Sequence, residues 1–261
     1  GSSATGSAGD VRIAAGSSPE GGSVFVSSGM SSGESKTAEL SLTGENVRLA
    51  TFDSIDASSS GAIKVATGSA RGATGDVVLA SGDSTSNRAG DVSLYAGSSR
   101  DSATGASVTI EAGMSTSKDL SSTGGSVAVK SGNGPTGGDM SVSGGAGTVG
   151  AGGSVRIAGG ESSRMSGEGG AVEIEGGSAQ GDMIGGAVSI QGGESTNSVG
   201  GGLQLSGGSS ALSDSGSVKL SSQDSSKGMS GEISIKTGAS TSSTSGDVII
   251  ATGDAQEQSG S

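Results

Sequence analysis

Cysteine, histidine and tryptophan are absent from the chain, and aromatic residues make up only 1% of it. Without cysteine there is no disulfide scaffold, although the compartment is left open. Without histidine and cysteine the chain lacks the usual general base, the thiol nucleophile and most transition-metal ligands. Basic residues are also few: 14 Lys and Arg against 26 Asp and Glu, for a net charge of −12. They are scattered singly, which argues against a nucleic-acid partner, because phosphate binding needs clustered positive charge. No apolar run approaches the length of a membrane-crossing helix, so no membrane insertion is expected. The opening Gly1-Ser2-Ser3-Ala4 lacks the basic and apolar regions of a signal peptide.

Glycine is abundant, at 54 of 261 residues, and a Gly/Ser-rich chain of this kind can be a disordered linker. Periodicity argues otherwise. A unit recurs throughout: Gly, any residue, aliphatic, any, aliphatic, any, small, Gly, any, small. Its first aliphatic, here position 0, falls at Val11, Val24, Val47, Ile63, Val77, Val92, Val108, Val127, Met140, Val155, Val172, Val188, Leu203, Val218, Ile233 and Val248. The mean spacing is about sixteen residues, and the last four intervals are all fifteen. Position +2 is always Ile, Val or Leu, from Ile13 to Ile250, and position +4 is always Ala, Ser, Thr or Gly. Glycine stands at −2 except at Glu45 and Ala106, and at +5 except at Phe52 and Gln223.

Alternation with a period of two is a strand signal. It assigns positions 0, +2 and +4 to a buried side and +1 and +3, such as Glu173 and Glu175, to a wet one. The bracketing glycines mark turns, with positive φ or close backbone approach as the reason. One unit cannot bury its own aliphatics, so copies are expected to stack. The pattern thus predicts an all-β, parallel β-solenoid of about sixteen strand repeats. The linking segments vary in length and read as edge loops, which places two repeats in each coil and makes two facing sheets. Acid in alternate units at +6 (Glu161, Glu194, Asp224, Asp254) agrees with that parity. Loop residues Leu120, Met165, Met183, Val199, Leu212 and Met229 read as plugs over the open ends of the space between the sheets.

Residues 1–261 form one continuous array, with an irregular insertion near 30–46 whose Ala38–Thr43 piece carries a short strand of its own. Because both ends stop within a unit, the array is expected to be a segment of a longer one.

No catalytic, cofactor-binding or metal site is expected. Ser115-Thr116-Ser117-Lys118 and Lys236-Thr237-Gly238 match two β-lactamase elements, but the S-D-N triplet and the helix are missing. Gly145–Gly150 matches G-x-G-x-x-G by chance in so glycine-rich a chain. Glu173 and Glu175 read as solvated carboxylates. Asp10, Asp76, Asp91, Asp139 and Asp247 follow the turn glycine and are expected to bond local backbone, with weak divalent-cation bridging as the other use.

The unit, as in Gly246-Asp247-Val248-Ile249-Ile250-Ala251-Thr252-Gly253, resembles the Gly/Ser-rich β-solenoid repeat arrays of large surface or secreted proteins of unicellular algae and other protists. That resemblance implies an extracellular or cell-surface fibre, coat or adhesive. The expected role is a structural segment of a filament, stalk or coat, not an enzyme, whose partner is itself through end-to-end stacking of uncapped strand edges. The competing role is a surface-binding module, an adhesin or an ice-binding protein.

Overall fold

The computed structural model describes residues 9–17, 21–29, 38–54, 59–100, 104–119, 121–163 and 167–254. The chain falls into two units, Gly1–Ala128 and Val129–Ser261. Among the described residues there is no helix and no strand, which overturns the β-solenoid: no sheet is formed, and no stack of coils. The inserted Ala38–Thr43 piece is likewise not a strand, and both of its leucines are exposed. The part-units at the two chain ends, Gly1–Ser3 and Gly260–Ser261, lie outside the described residues.

The physical reason is that the aliphatics find no cover within the chain. No residue among those described is buried, and there is no apolar core. The accessible surface is 26582 Å². A folded chain of this mass keeps about 10,000 Å² and an open one about 35,000 Å². Two aliphatics per unit, without aromatics, do not offset the entropy of ordering so many glycines.

Local order is nevertheless regular. Through each aliphatic segment of the second unit the chain runs without a bend, and bends fall in the linkers, at 134–136, 148–150, 196–198, 211–213, 226–228 and 241–243. The repeat therefore survives as a repeated chain path, with its hydrogen bonds in the linkers.

Candidate functional site

The aliphatic pairs are the most regular chemical feature of the surface. From Val24 onward, position 0 is more covered than position +2 in every unit: Val172 is 49% exposed and Ile174 65%, Val155 52% and Ile157 73%. Neither position is interior, so the division into a buried and a wet side is corrected: both sides face solvent. The plugs fail for the same reason. Met183, Val199, Leu212 and Met229 are all largely or fully exposed, while Leu120 and Met165 lie outside the described residues.

The linkers are closed at their bases by one recurring bond. The amide at −2 of one unit donates to the carbonyl at +5 of the unit before: Gly125 to Gly113, Gly138 to Gly132, Gly153 to Gly145, Gly170 to Gly160, Gly186 to Gly177, Gly201 to Gly193 and Gly216 to Gly208, all at 2.8–3.0 Å. The same bond closes linkers of different lengths. Variation in spacing is thus absorbed by the loop and not passed to the aliphatic segments.

Glycine is required there because backbones meet. A Cβ on Gly144, Gly159, Gly176, Gly192 or Gly207, all at +4, would overlap the carbonyl oxygen of the −2 glycine of the following unit. Every closing bond has a third glycine beside the bonded pair, at +4 or at −3. Where both of those positions carry side chains, the −2 glycine meets a side chain or nothing, and not backbone. Gly61 meets the Thr51 methyl at 3.3 Å, Gly90 meets Ser81 Cβ at 3.9 Å, and Gly231 meets Ser222 Cβ at 3.6 Å, all measured from the Cβ that glycine lacks. Of the two reasons offered for the bracketing glycines, close approach holds at −2 of the closed linkers, whereas a Cβ on the +5 glycines would meet nothing within 4 Å. Positive φ occurs at Gly21 and Gly181 among the described residues, and both stand inside linkers.

A second device shapes the loops. The hydroxyl of the serine at +7 accepts a hydrogen bond from the amide three residues on: Ser84 from Asn87, Ser195 from Ser198, Ser210 from Ser213, Ser225 from Gly228 and Ser240 from Ser243, at 3.0–3.1 Å. A short hydroxyl side chain is suited to capping a turn in this way. Each of these five serines opens a linker in a fifteen-residue repeat. Sequence reasoning registered +7 only as small. The coincidence of serine at +7 with the fifteen-residue spacing was the signal available.

The long linker from Gly113 to Gly125 is bonded internally. The Ser115 and Ser122 hydroxyls lie 2.7 Å apart, and the Asp119 amide donates to Ser117 Oγ at 3.1 Å. The Asp119 carboxylate accepts from the Ser121 amide at 3.0 Å and hydroxyl at 2.9 Å. Those two bonds, the amide first, hold its pKa below the ordinary carboxylate value. Ser115 of the S-x-x-K match is therefore engaged with a second serine.

The turn aspartates do not behave as expected. Asp91 pairs with Arg88, and among the described residues no backbone bond reaches Asp10, Asp76, Asp139 or Asp247. Serine does the capping instead. Among the described residues no three acidic side chains gather into a metal-binding group, and no helix is long and apolar enough to cross a membrane.

Three shallow hollows gather around Phe52, the residue that replaces glycine at +5. They are bordered by Arg48 and Asp53, by Ser59–Gly61, and by Arg12, Ile13 and Gly22. Phe52 itself is 96% exposed. Comparison with known proteins finds no family model, no characterised protein and no solved structure that matches the chain.

Proposed function

We propose that this chain is a structural repeat segment of an extracellular filament, stalk or surface coat, working by association with further copies of itself and not by catalysis. The observation that carries the reading is the aliphatic register: sixteen Val/Ile/Leu/Met pairs at constant positions, all left at the surface. Burying such a side chain contributes about 1.5–3 kcal/mol. In the single chain most of that stabilisation is not realised, so it is available to association. An apolar surface this extensive is unusual on a protein that works alone.

The route differs from end-to-end stacking, because among the described residues no strand forms whose edge could be extended. Lateral association through the aliphatic rows takes its place. Placement outside the cell rests on the resemblance of the unit to the repeats of surface and secreted arrays. Sedimentation velocity of the full chain over a wide concentration range, followed by electron microscopy, tests the reading. Concentration-dependent growth into extended assemblies is expected, and a strict monomer at the highest concentration contradicts it. Added salt should promote growth, since a net charge of −12 repels like copies until it is screened.

A further inference from the structure

We infer that the contact face for this association is the aliphatic row of five consecutive units, Met140/Val142, Val155/Ile157, Val172/Ile174, Val188/Ile190 and Leu203/Leu205, and that its occupant is the same row of a second copy. The inference rests on the self-association just proposed and names its surface.

These five units are the set with glycine at +4, from Gly144 to Gly207. All five continue into a linker closed by the glycine bond. Their chain path at the loop base is therefore the same each time, and their aliphatic pairs are presented alike, position 0 about half exposed and +2 between 59% and 73%. The result is a row of equivalent apolar pairs separated by linkers. A partner that touches every pair must carry apolar groups at the same period, and a second copy of this row does.

Area agrees with that choice. A fully buried aliphatic side chain accounts for about 60–120 Å², so ten partly exposed ones offer about 400–800 Å² of apolar surface. A stable complex buries about 800 Å² on each partner, somewhat over half of it apolar. Five units therefore supply enough for one pair of copies. Charge agrees too. Positions 0, +2 and +4 of these units carry no charged residue, while Arg156, Glu173 and Glu175 fall on the alternate positions. Contact through the aliphatic pairs therefore brings no charged residue of positions 0, +2 or +4 into the interface.

The test compares two double variants with the same change of charge. Ile157→Asp with Ile174→Asp strikes the row. Val149→Asp with Leu212→Asp places the same two charges on loop residues that are at least as exposed, at 101% and 100%. None of the four is buried in the single chain, so amide spectra of the dilute proteins should keep the loop-closing glycines unchanged in both. Sedimentation should show the row variant associating at least about thirtyfold more weakly than the parent and the loop variant within about threefold of it. Equal weakening of the two, or undiminished association of the row variant, overturns the assignment of the face while leaving self-association standing. A parent chain that never associates overturns both.

Discussion

The two units of the chain carry the same repeat and close it differently. In Gly1–Ala128 position +4 is Ala, Ser or Thr throughout; at −2, Gly75 has open space where a Cβ would stand and Gly90 meets only Ser81 Cβ at 3.9 Å. Among the described residues of that unit the one closing bond is Gly125 to Gly113. In Val129–Ser261 six linkers are closed, and the +4 glycines lie against the backbone of the next unit. The change also occurs inside the second unit. Past Gly216 the +4 residue becomes Ser222 and then Thr237, and the following glycines meet side chains. Aliphatic content is the same on both sides of that change, so hydrophobicity does not decide whether a linker closes. Each closed linker has room for two backbones to touch, but room alone does not close one: Gly22 lies as near to Gly16, and no closing bond joins them.

The largest break in that comparison should come from a side chain placed where backbones meet. Gly176→Val puts Cβ against the Gly186 carbonyl and should open the linker. Losing a bond of this kind costs about 0.5–1.5 kcal/mol, so exchange of the Gly186 amide should speed up by roughly three- to tenfold. The same substitution at Gly82, which has nothing within 4 Å of its Cβ position, should leave its neighbours unchanged.

A gain is expected from the reverse change. Thr237→Gly combined with Ser245→Gly gives the linker before Val248, which already has Gly238 at +5 and Gly246 at −2, the glycines of the closed bases. The Gly246 amide should then become protected against exchange, by a few-fold. If it stays open, a third glycine is not what permits closure.

Smaller again is the loss of a turn cap. Ser225→Ala removes the acceptor of the Gly228 amide and should cost about 0.5–1 kcal/mol locally. The readout is the Gly228 amide shift and exchange rate, with Gly216 unaffected.

The smallest effect concerns Asp119. Its pKa is lowered by the bonds from Ser121, so the bonded loop is favoured above the ordinary carboxylate pKa and is lost as pH falls through the lowered value. Carbon-detected titration should place Asp119 below the ordinary carboxylate range, and Ser121→Gly, which keeps the amide donor and removes the hydroxyl, should raise it part of the way.

The register of the repeat was legible in the sequence, because a period of two between glycines is written in residue types. Gly170 and Gly177 do bracket the Val172/Ile174 segment, and each takes part in a closing bond. What the pattern does not specify is the partner of an aliphatic pair. Val172 and Ile174 would read the same whether covered by their own chain, by another copy or by nothing. Reading them as interior produced the solenoid, the plugs and the strand edges together. The +4 glycines were read only as small residues, since spacing along the chain does not reveal that Gly159 lies against Gly170. The serine caps were missed because attention went to the turn aspartates, whose longer reach is spent on Arg88 at Asp91 and on no backbone group at Asp76 or Asp139.

The central claim is that local order in the single chain lies in the glycine-closed linkers, with the aliphatic segments left open for association. Residue-resolved amide exchange on a dilute, monomeric sample tests it most directly. The amides of Gly153, Gly170, Gly186 and Gly201 should be protected, and those of Ile157, Ile174 and Ile190 should exchange at open-chain rates until the concentration is raised. Protection of the three isoleucine amides in the monomer, equal to or above that of the glycines, would contradict the account.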